Sequence, residues 1–295
     1  MPLRRLDIIG ERINPGFRST RALFDNQDLA GIQALAIRQA QAGASYLNVN
    51  GGTAALQNPA FMAEVVRCIQ AVVDLPLSLD CPDPGVQQTL LAAYDAGKAR
   101  GLRPIVNSLS ESRWELAECL RIRPCKAIIM SSERLVDGRV VPTSSGADAC
   151  ESALSMVRRI KAIHPSMSND DFFIDVSVAT LAADTDGLIP MSIESVRLIR
   201  EEPELEGVHI MGGLSNLAQH LPPRAADGSD LTHQLECAFL SVAVPLGLDT
   251  VLGTPWRRYQ LLSEDNAVLG KFRNLLELRG SDALMSIVDL YSPAQ

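Results

Sequence analysis

Carboxylate, amide and hydroxyl side chains stand at the ends of the apolar, β-rich runs of this sequence. They are Glu11 and Asn14, Asn48 and Asn50, Asp80, Asn107, Asp175, Ser215 and Asn216. An Asp carboxylate can accept two parallel hydrogen bonds from an N–H/NH₂ edge, and an Asn amide presents a donor and an acceptor together. Such a set predicts a site for a flat, neutral heterocycle with alternating donors and acceptors, such as a pterin.

The same positions lack the groups that several other chemistries need. A Schiff-base aldolase needs a lysine at the carboxyl end of a strand, and Lys126 stands at the beginning of its run. A hydrolytic metal site needs converging His or carboxylate ligands, and none of the histidines at 164, 209, 220 and 233 ends a run. The nearest, His220, we interpret as a polar residue on a loop or helix surface. The sequence therefore predicts no bound metal.

Eight β-rich runs alternate with segments that carry apolar residues at helical spacing. The predicted strands are residues 6–10, 45–50, 75–80, 103–108, 126–131, 172–177, 208–213 and 248–253. The predicted helices are residues 28–43, 58–73, 84–100, 111–122, 146–163, 191–202, 230–246 and 257–278, and Ser108 with Glu111 predicts a capping box that opens the fourth. Strict alternation with continuous apolar strands predicts a parallel sheet covered by helices. Eight units favour a single (β/α)8 TIM barrel, one domain over residues 1–295.

The barrel would bring the polar residues together, because barrel active sites lie at the carboxyl ends of the strands. A doubly wound Rossmann sheet is the alternative fold, but IGERINPG stands where a G-x-G-x-x-G turn would be needed.

Strand seven ends in Gly212 and Gly213, where backbone without a Cβ would let a flat ring approach closely. The alternative for Gly213 is a packing role, and Asp80, Asn107 and Ser215 taken singly could belong to turns or helix caps.

Composition argues against several locations and partners. The run LDII near the N-terminus is too short for a signal-peptide core, and no stretch approaches the ~20 apolar residues that a membrane span needs. A net charge of −8 and a pI near 5.1 argue against a nucleic-acid surface, which needs a clustered basic footprint. The six cysteines are scattered without a C-x-x-C pair, which is typical of reduced thiols. We expect a cytoplasmic protein without a membrane or nucleic-acid partner.

Six segments resemble, in this order, the pterin-binding barrel methyltransferases: IIGERIN, GASYLNVNGG, LPLSLDCPDP, PIVNS, FFIDVS and GGLSNLAQHLPPR. These are the methyltetrahydrofolate:corrinoid protein methyltransferases, related to the folate domain of cobalamin-dependent methionine synthase and, more distantly, to dihydropteroate synthase. The resemblance runs from residue 8 to about residue 255, and G-L-S-N after strand seven is its most specific part. It implies methyl transfer between N5 of 5-methyltetrahydrofolate and a cob(I)amide held by another protein.

The resemblance also implies which residues form the site. They are Asp80, Asn107, Asp175, Gly213, Ser215, Asn216, Gln219 and Arg224. Asp175 would hold the N3/2-amino edge of the pterin, and Asn216 would donate a hydrogen bond to N5, with Asp175 or Asp80 as a relay for the proton. Arg224 would meet the aminobenzoyl-glutamate tail or a partner. The sequence departs from the family at Asn48, where Asp is common.

The implied cofactor is cobalamin carried by a separate corrinoid protein, since no D-x-H-x-x-G cobalamin-binding pattern occurs in this chain. The corrinoid protein would dock on the open rim of the barrel, and the chain itself would be a homodimer. One alternative is a dihydropteroate synthase, which uses Lys and Arg at the ends of late strands; here strand seven ends in GGLSN and strand eight in GTPWRR, without the lysine. The other is a non-catalytic pterin- or folate-binding protein, against which the presence of Asn216 argues.

Overall fold

Eight parallel strands close into a barrel in the computed structural model, which describes residues 6–291. The strands are β1 (Asp7–Ile13), β2 (Tyr46–Asn50), β3 (Leu77–Asp80), β4 (Ile105–Leu109), β5 (Lys126–Met130), β6 (Glu133–Val136), β7 (Arg139–Pro142), β8 (Phe172–Asp175), β9 (His209–Gly213) and β10 (Thr250–Gly253). All except β6 and β7 belong to the barrel, in which successive strands are neighbours and β10 pairs with β1. The expected (β/α)8 fold is confirmed.

Helices cover the outside of the barrel. They are α1 (Arg18–Asp25), α2 (Leu29–Gln41), α3 (Gly52–Gln57), α4 (Pro59–Gln70), α5 (Pro84–Ala93), α6 (Gly146–Ile163), α7 (Leu188–Glu201), α8 (Leu231–Ala243), α9 (Ala267–Leu276) and α10 (Gly280–Val288). Side-chain oxygens accept backbone N–H groups at the start of six of them: Asp28, Asn58, Asp83, Ser145, Asp230 and Asn266. Caps of this kind satisfy amides that have no partner within the helix.

The inside of the barrel is filled by an apolar layer contributed by alternate residues of the strands. Its buried members are Ile9, Ile105, Ile128, Phe173 and Met211, with Tyr46 and Leu252 packed against them. Because side chains alternate along a strand, residues two positions further on face the same interior, one layer closer to the carboxyl ends. The apolar layer therefore forms the floor of the barrel mouth.

The structure corrects two predictions of helices. Ser108 does not open a capping box with Glu111, because Ser108 lies within β4, which continues to Leu109 through pairing with Ile129. The segment that follows is a 3-10 helix, Glu111–Arg121, and its N-cap residue Ser110 makes no side-chain cap bond. The helix predicted over residues 257–278 is also too long, since α9 begins only at residue 267.

A hairpin inserted after β5 was not predicted. β6 and β7 pair antiparallel across Asp137 and Gly138, which both have positive φ values of 48° and 76°. An Asp-Gly pair suits the two-residue turn of a hairpin because both positions need the left-handed conformation. This sequence signal was present, but the strands on either side have only four residues each.

Candidate active site

The mouth of the barrel is lined by a second interior layer that lies two residues beyond the apolar one. Its members are Glu11, Asn48, Asn107, Met130, Asp175, Gly213 and Thr254. The parallel register of β3 brings Asp80 level with Asn50 of β2 and Asn107 of β4. Most of the polar residues that the sequence placed at strand ends thus converge on one face of the barrel.

On one side of the mouth, β2, β3 and β4 carry polar side chains that bond to one another. The Asn48 amide nitrogen donates to Asp80 Oδ2 at 2.9 Å. Asn107 Nδ2 in turn lies 3.1 Å from Asn48 Oδ1 and 3.2 Å from Ser78 Oγ. Burial raises the pKa of Asp80, and hydrogen bonds from Asn50 and Asn48 oppose that shift. We call this group, Asn48, Ser78, Asp80 and Asn107, the amide network.

The network gives a physical role to the departure at Asn48. An asparagine can donate to Asp80 while accepting from Asn107, whereas an ionised aspartate can only accept. A second carboxylate at this position would also face that of Asp80 directly. Asn48 therefore suits the neighbours that this chain provides, and no negative charge is needed there to complete the network.

On the opposite side of the mouth, the Asp175 carboxylate at the end of β8 has few partners. Its Oδ1 accepts a hydrogen bond from the Ser177 backbone N–H at 2.7 Å, and no side chain within residues 6–291 donates to the carboxylate. Burial raises the pKa of Asp175 to about 6, against the opposing effect of the Ser177 amide. A buried carboxylate with unused acceptor capacity can receive further donors from a ligand.

The two glycines at the end of β9 meet different surroundings. A Cβ added to Gly212 would lie 2.7 Å from Val178 Cγ2, so this position is closed by packing. A Cβ added to Gly213 would approach only the Asn216 amide nitrogen, at 3.6 Å. The backbone of Gly213 has φ −84° and ψ 101°, which other residues also adopt. Gly213 thus leaves open space in the lining of the mouth, while Gly212 is needed for packing.

Asn216 stands beside that space with its amide held in one orientation. It ends the short 3-10 turn Leu214–Asn216 that follows β9, and its side chain is exposed. Gln219 Nε2 donates to Asn216 Oδ1 at 2.9 Å. The carbonyl end of the amide is therefore occupied, and the Nδ2 end, which is the one near Gly213, is left to donate to a ligand.

Glu11 on β1 bonds to residues that follow β10 and β9. Its Oε1 accepts a hydrogen bond from Thr254 Oγ1 at 2.8 Å, and Ser215 also donates to the carboxylate. Burial raises the pKa of Glu11 in spite of these bonds. Behind it, burial raises the pKa of Glu236 to about 7, although Arg257 Nη1 lies 2.8 Å from Glu236 Oε1. Ser215 thus bonds to a wall of the mouth, which fixes the start of the Asn216 turn.

Two predicted positions lie apart from this arrangement. Arg224 is exposed in the loop before α8, where its guanidinium donates to the Gly228 carbonyl oxygen at 3.3 Å. Asn14 folds back on its own turn, its Oδ1 accepting from the Gly16 N–H at 2.8 Å. His220 is exposed on the same loop as Arg224, as expected of a surface residue. The contacts of the described chain do not bring these side chains to Asp175 or Asn216.

Three residues that contribute to the mouth were not found from the sequence. Ser78 stands two positions before Asp80, so strand alternation would have placed both on the interior face. Thr254 directly follows the last predicted strand and could have been found by the same rule as the other strand-end residues. Ser177 gave no signal, because its contribution is a backbone N–H presented by a residue with φ 56°.

Residues 6–291 contain no group of three or more His, Cys, Asp or Glu side chains arranged to hold a metal ion. Over the same residues, no helix is both long enough and apolar enough to cross a membrane.

Curated proteins with sequences similar to this chain include one methyltransferase. A methylcorrinoid:tetrahydrofolate methyltransferase from Eubacterium limosum is 27% identical to the chain over 277 residues, which cover 90% of this chain and 92% of that protein. No family model matches the sequence. The likeness covers most of both chains and confirms the resemblance to the pterin-binding barrel methyltransferases.

Solved structures with the same fold include several dihydropteroate synthases. The enzyme from Xanthomonas albilineans with 4-aminobenzoic acid has a TM-score of 0.61 at 16% identity, covering 88% of this chain and 90% of that one. The enzyme from Coxiella burnetii in complex with pteroic acid has a TM-score of 0.52 at 13% identity, covering 87% and 90%. At these identities the likeness concerns the fold, and it confirms the (β/α)8 barrel.

Proposed function

We propose that the chain is a methyltransferase that moves a methyl group between N5 of 5-methyltetrahydrofolate and the cob(I)amide cofactor of a separate corrinoid protein. One observation carries this proposal: neighbouring strands β8 and β9 present the Asp175 carboxylate, the open backbone of Gly213 and the free amide nitrogen of Asn216 at one mouth. A reduced pterin has an N–H/NH₂ edge that can bond to Asp175, a flat face that can lie against Gly213, and an N5 atom that can accept a hydrogen bond from Asn216. The similar E. limosum methyltransferase supports the same activity.

Asp175 is the group that holds the pterin edge. Its ionised carboxylate accepts the N3–H and 2-amino donors together, in a place where only one backbone amide already bonds to it. Asp80 and Asn107 contact the ring from the amide network, whose internal bonds keep both side chains in place. Burial raises the pKa of Asp175 to about 6 in the free protein, and the two pterin donors would lower it by stabilising the ionised carboxylate.

Asn216 acts on the reacting nitrogen. Transfer of the methyl group breaks the N5–CH3 bond and leaves its electron pair on N5, so tetrahydrofolate is a workable leaving group only if N5 takes up a proton, from solvent or through a relay at Asp175 or Asp80. Asn216 is too weak an acid to protonate N5, but its Nδ2 can donate a hydrogen bond that strengthens as N5 becomes more basic. Gln219 and Arg224 contact the rest of the folate, and Gln219 also keeps the Asn216 carbonyl turned away from N5. One preorganised donor of this kind contributes about 10²–10³ in rate.

The corrinoid is supplied by a partner protein that docks at the barrel rim, which is where the Asn216 turn is exposed. When bound there, the corrinoid cofactor supplies or accepts the methyl group. The described residues of this chain orient the folate and stabilise N5. The name of the E. limosum relative puts the methylcorrinoid first as donor, so transfer is to be measured in both directions.

The function is tested by mixing the protein with 5-methyltetrahydrofolate and photoreduced free cobalamin and following the conversion of the cob(I)alamin band to methylcobalamin. We expect enzyme-dependent conversion, and reverse transfer from methylcobalamin to tetrahydrofolate. Asn216→Ala should lower the rate about 10²–10³-fold while folate affinity changes less than about tenfold. Asn274→Ala, an exposed asparagine on α9, is the control that should leave both unchanged.

Two outcomes would contradict the proposed activity, and a third would contradict only the role of Asn216. Condensation of dihydropterin pyrophosphate with 4-aminobenzoate, without methyl transfer, would identify a dihydropteroate synthase. Tight folate binding without either reaction would identify a non-catalytic binding protein. Equal losses of affinity and rate in Asn216→Ala would remove the assigned role of that residue while leaving the methyltransferase activity itself in place.

The proposal extends to a cytoplasmic homodimer. All six cysteines are free thiols, as suits a reducing compartment. On α10, the side chains of Leu284, Met285 and Val288 are 40, 71 and 43% exposed, which offers an apolar face for a second copy. Light scattering after size-exclusion chromatography should give twice the chain mass, and a monomer mass would contradict this part of the proposal.

A further inference from the structure

Two arginines stack on aromatic rings at the outer side of the barrel rim. The guanidinium carbon of Arg12 lies 3.8 Å from the centroid of the Phe17 ring, and that of Arg38 lies 3.9 Å from the centroid of the Trp256 ring. Arg12 is also 5.9 Å from the Trp256 ring centroid. The two cations therefore share Trp256 as an aromatic neighbour, and stacking of this kind leaves the edge of a guanidinium available for hydrogen bonds.

Both arginines line a cleft with a volume of about 290 Å³ between α1, α2 and the end of β10. The cleft is amphipathic, because α1 contributes both the hydroxyl of Ser19 and the apolar side chain of Leu23 to its lining. Arg12 Nη2 bonds to Ser19 Oγ at 3.2 Å, whereas the Nε of Arg12 is buried with no hydrogen-bond partner among the described residues. Buried donors without partners are uncommon in folded proteins, and this one leaves part of the hydrogen-bonding capacity of Arg12 unused.

The cleft also lacks a neutralising acid. Within residues 6–291, neither Arg12 nor Arg38 is part of an ion pair of 4.0 Å or less. Burial lowers the pKa of Arg12, and repulsion by Arg257 and Arg38 adds to the shift, against the attraction of Glu11. The Glu11 carboxylate bonds to Thr254 instead. Positive charge is thus concentrated in one cleft of a chain whose net charge is −8.

A second stack of arginine on tryptophan in the same protein includes an acidic partner that the cleft lacks. Arg159 lies 3.8 Å from the centroid of the Trp114 ring, and its Nη1 donates to Glu111 Oε1 at 2.7 Å. The Glu111 side chain is only 3% exposed, so the charge of that stack is neutralised by a buried carboxylate. In the cleft, a second arginine and open volume are found instead of the acid.

We propose that this cleft binds an oxyanion group, a carboxylate or a phosphate, of a ligand outside the folate-binding mouth. Guanidinium groups bond to both kinds of group in a bidentate manner. Trp256 and Leu23 would cover the apolar part of the ligand that carries the anion. The proposal does not rest on the methyltransferase function, since the side chain of Arg12 faces the helices and that of Glu11 faces the barrel mouth.

Fluorescence offers a direct test, because Trp114 and Trp256 are the two tryptophans of the chain. In the Trp114→Phe variant, all tryptophan fluorescence comes from Trp256, which lines the cleft. This full-length variant is titrated with inorganic phosphate and, separately, with triglutamate, at constant ionic strength maintained with KCl. We expect a saturable change in fluorescence with a dissociation constant at or below about 1 mM for at least one anion. Tighter binding of inorganic phosphate would identify a phosphate ligand, and tighter binding of triglutamate would identify a carboxylate ligand.

Arg38→Met in the same background should weaken binding at least about tenfold. The control is Arg67→Met, which removes an exposed arginine from α4 and should leave the titration unchanged. Because Arg38 and Arg67 are both exposed, neither substitution threatens the core. The proposal is overturned if neither anion gives a saturable change, if KCl alone reproduces it, or if Arg38→Met and Arg67→Met weaken binding equally.

Discussion

The two sides of the barrel mouth differ in how far their polar groups are satisfied by the protein itself. In the amide network, Asn48 bonds to both Asp80 and Asn107 within 3.1 Å. Across the mouth, Asp175 receives one backbone hydrogen bond, and Asn216 is held at its carbonyl end only. Both sides are built from Asp and Asn, so the difference comes from their neighbours.

This contrast separates groups that stabilise the fold from groups that await a ligand. A buried polar atom that is already bonded gains little from a new partner, while an unpartnered one regains the cost of its desolvation when a ligand bonds to it. We therefore expect substitutions on the β8–β9 side to affect folate binding chiefly, and substitutions in the amide network to affect stability as well as contact with the ring.

The largest effect on folate affinity is expected at Asp175. Asp175→Asn should weaken 5-methyltetrahydrofolate binding by about 1.5–3 kcal/mol, roughly 10- to 100-fold, because the amide cannot accept both donors of the pterin edge. Isothermal titration calorimetry measures this loss, and an unchanged affinity would move the pterin edge to another residue.

The raised pKa of Asp175 adds a dependence on pH that the same variant removes. Since folate requires the ionised carboxylate, the affinity of the wild type should fall as the pH drops below about 6. The free protein should change in the opposite sense: its folded state binds the proton more tightly than the unfolded chain, so stability rises as the pH falls from about 6 toward the usual aspartate pKa. Asp175→Asn should flatten both profiles. Profiles identical to wild type would exclude Asp175 as the titrating group.

A smaller effect, on stability, is expected from Asn48→Asp. The new carboxylate would face Asp80 at hydrogen-bonding distance, so the pair would hold one proton and its apparent pKa would rise. We expect a loss of about 1–2 kcal/mol in unfolding free energy at pH 8 that is largely recovered at pH 5, because the folded state then retains the shared proton. Urea unfolding at the two pH values measures it. A loss that is equal at both would show that the two carboxyl groups do not interact.

The smallest effect separates the adjacent glycines of β9. Gly212→Ala should lower the unfolding free energy by about 1 kcal/mol, since the methyl group meets Val178. Gly213→Ala should leave stability within about 0.5 kcal/mol yet weaken folate binding, because its methyl group enters the open part of the mouth. Thermal melts of the two variants measure the effect on stability, and calorimetry measures the effect on folate binding. Full folate affinity in Gly213→Ala would mean that the ring lies elsewhere on the rim.

Local sequence was enough to predict the barrel and most of its mouth. A continuous apolar run followed by a polar residue predicts a buried strand and its end, and all eight barrel strands were found in this way. Asp80, Asn107 and Asp175 were placed at the mouth for the same reason, since strand order and alternation are local properties. The motifs around Asn216 added the resemblance, which the similar methyltransferase confirms.

The errors arose where distant pairing outweighs local preference. Ser108 and Glu111 have the spacing of a capping box, yet pairing of Leu109 with Ile129 extends β4 past Ser108. Apolar residues at 257–278 have helical spacing, but the Tyr259 hydroxyl accepts the Thr254 N–H at 2.9 Å and keeps that part of the chain against the barrel end. In both places a tertiary contact decides the conformation of a segment that is locally compatible with helix.

The sequence by itself determined the strand order, the residue types at the mouth and the family to which they are similar, because these follow from short-range patterns. Only the tertiary structure decided which of those residues are already satisfied. Asn48, Asp80 and Asn107 lie on three strands and meet through the curvature of the barrel. In the same way, Arg159 finds an acid 48 residues away whereas Arg12 and Arg38 find none. Hydrogen-bond satisfaction depends on atoms brought together by closure of the sheet, which no local pattern encodes.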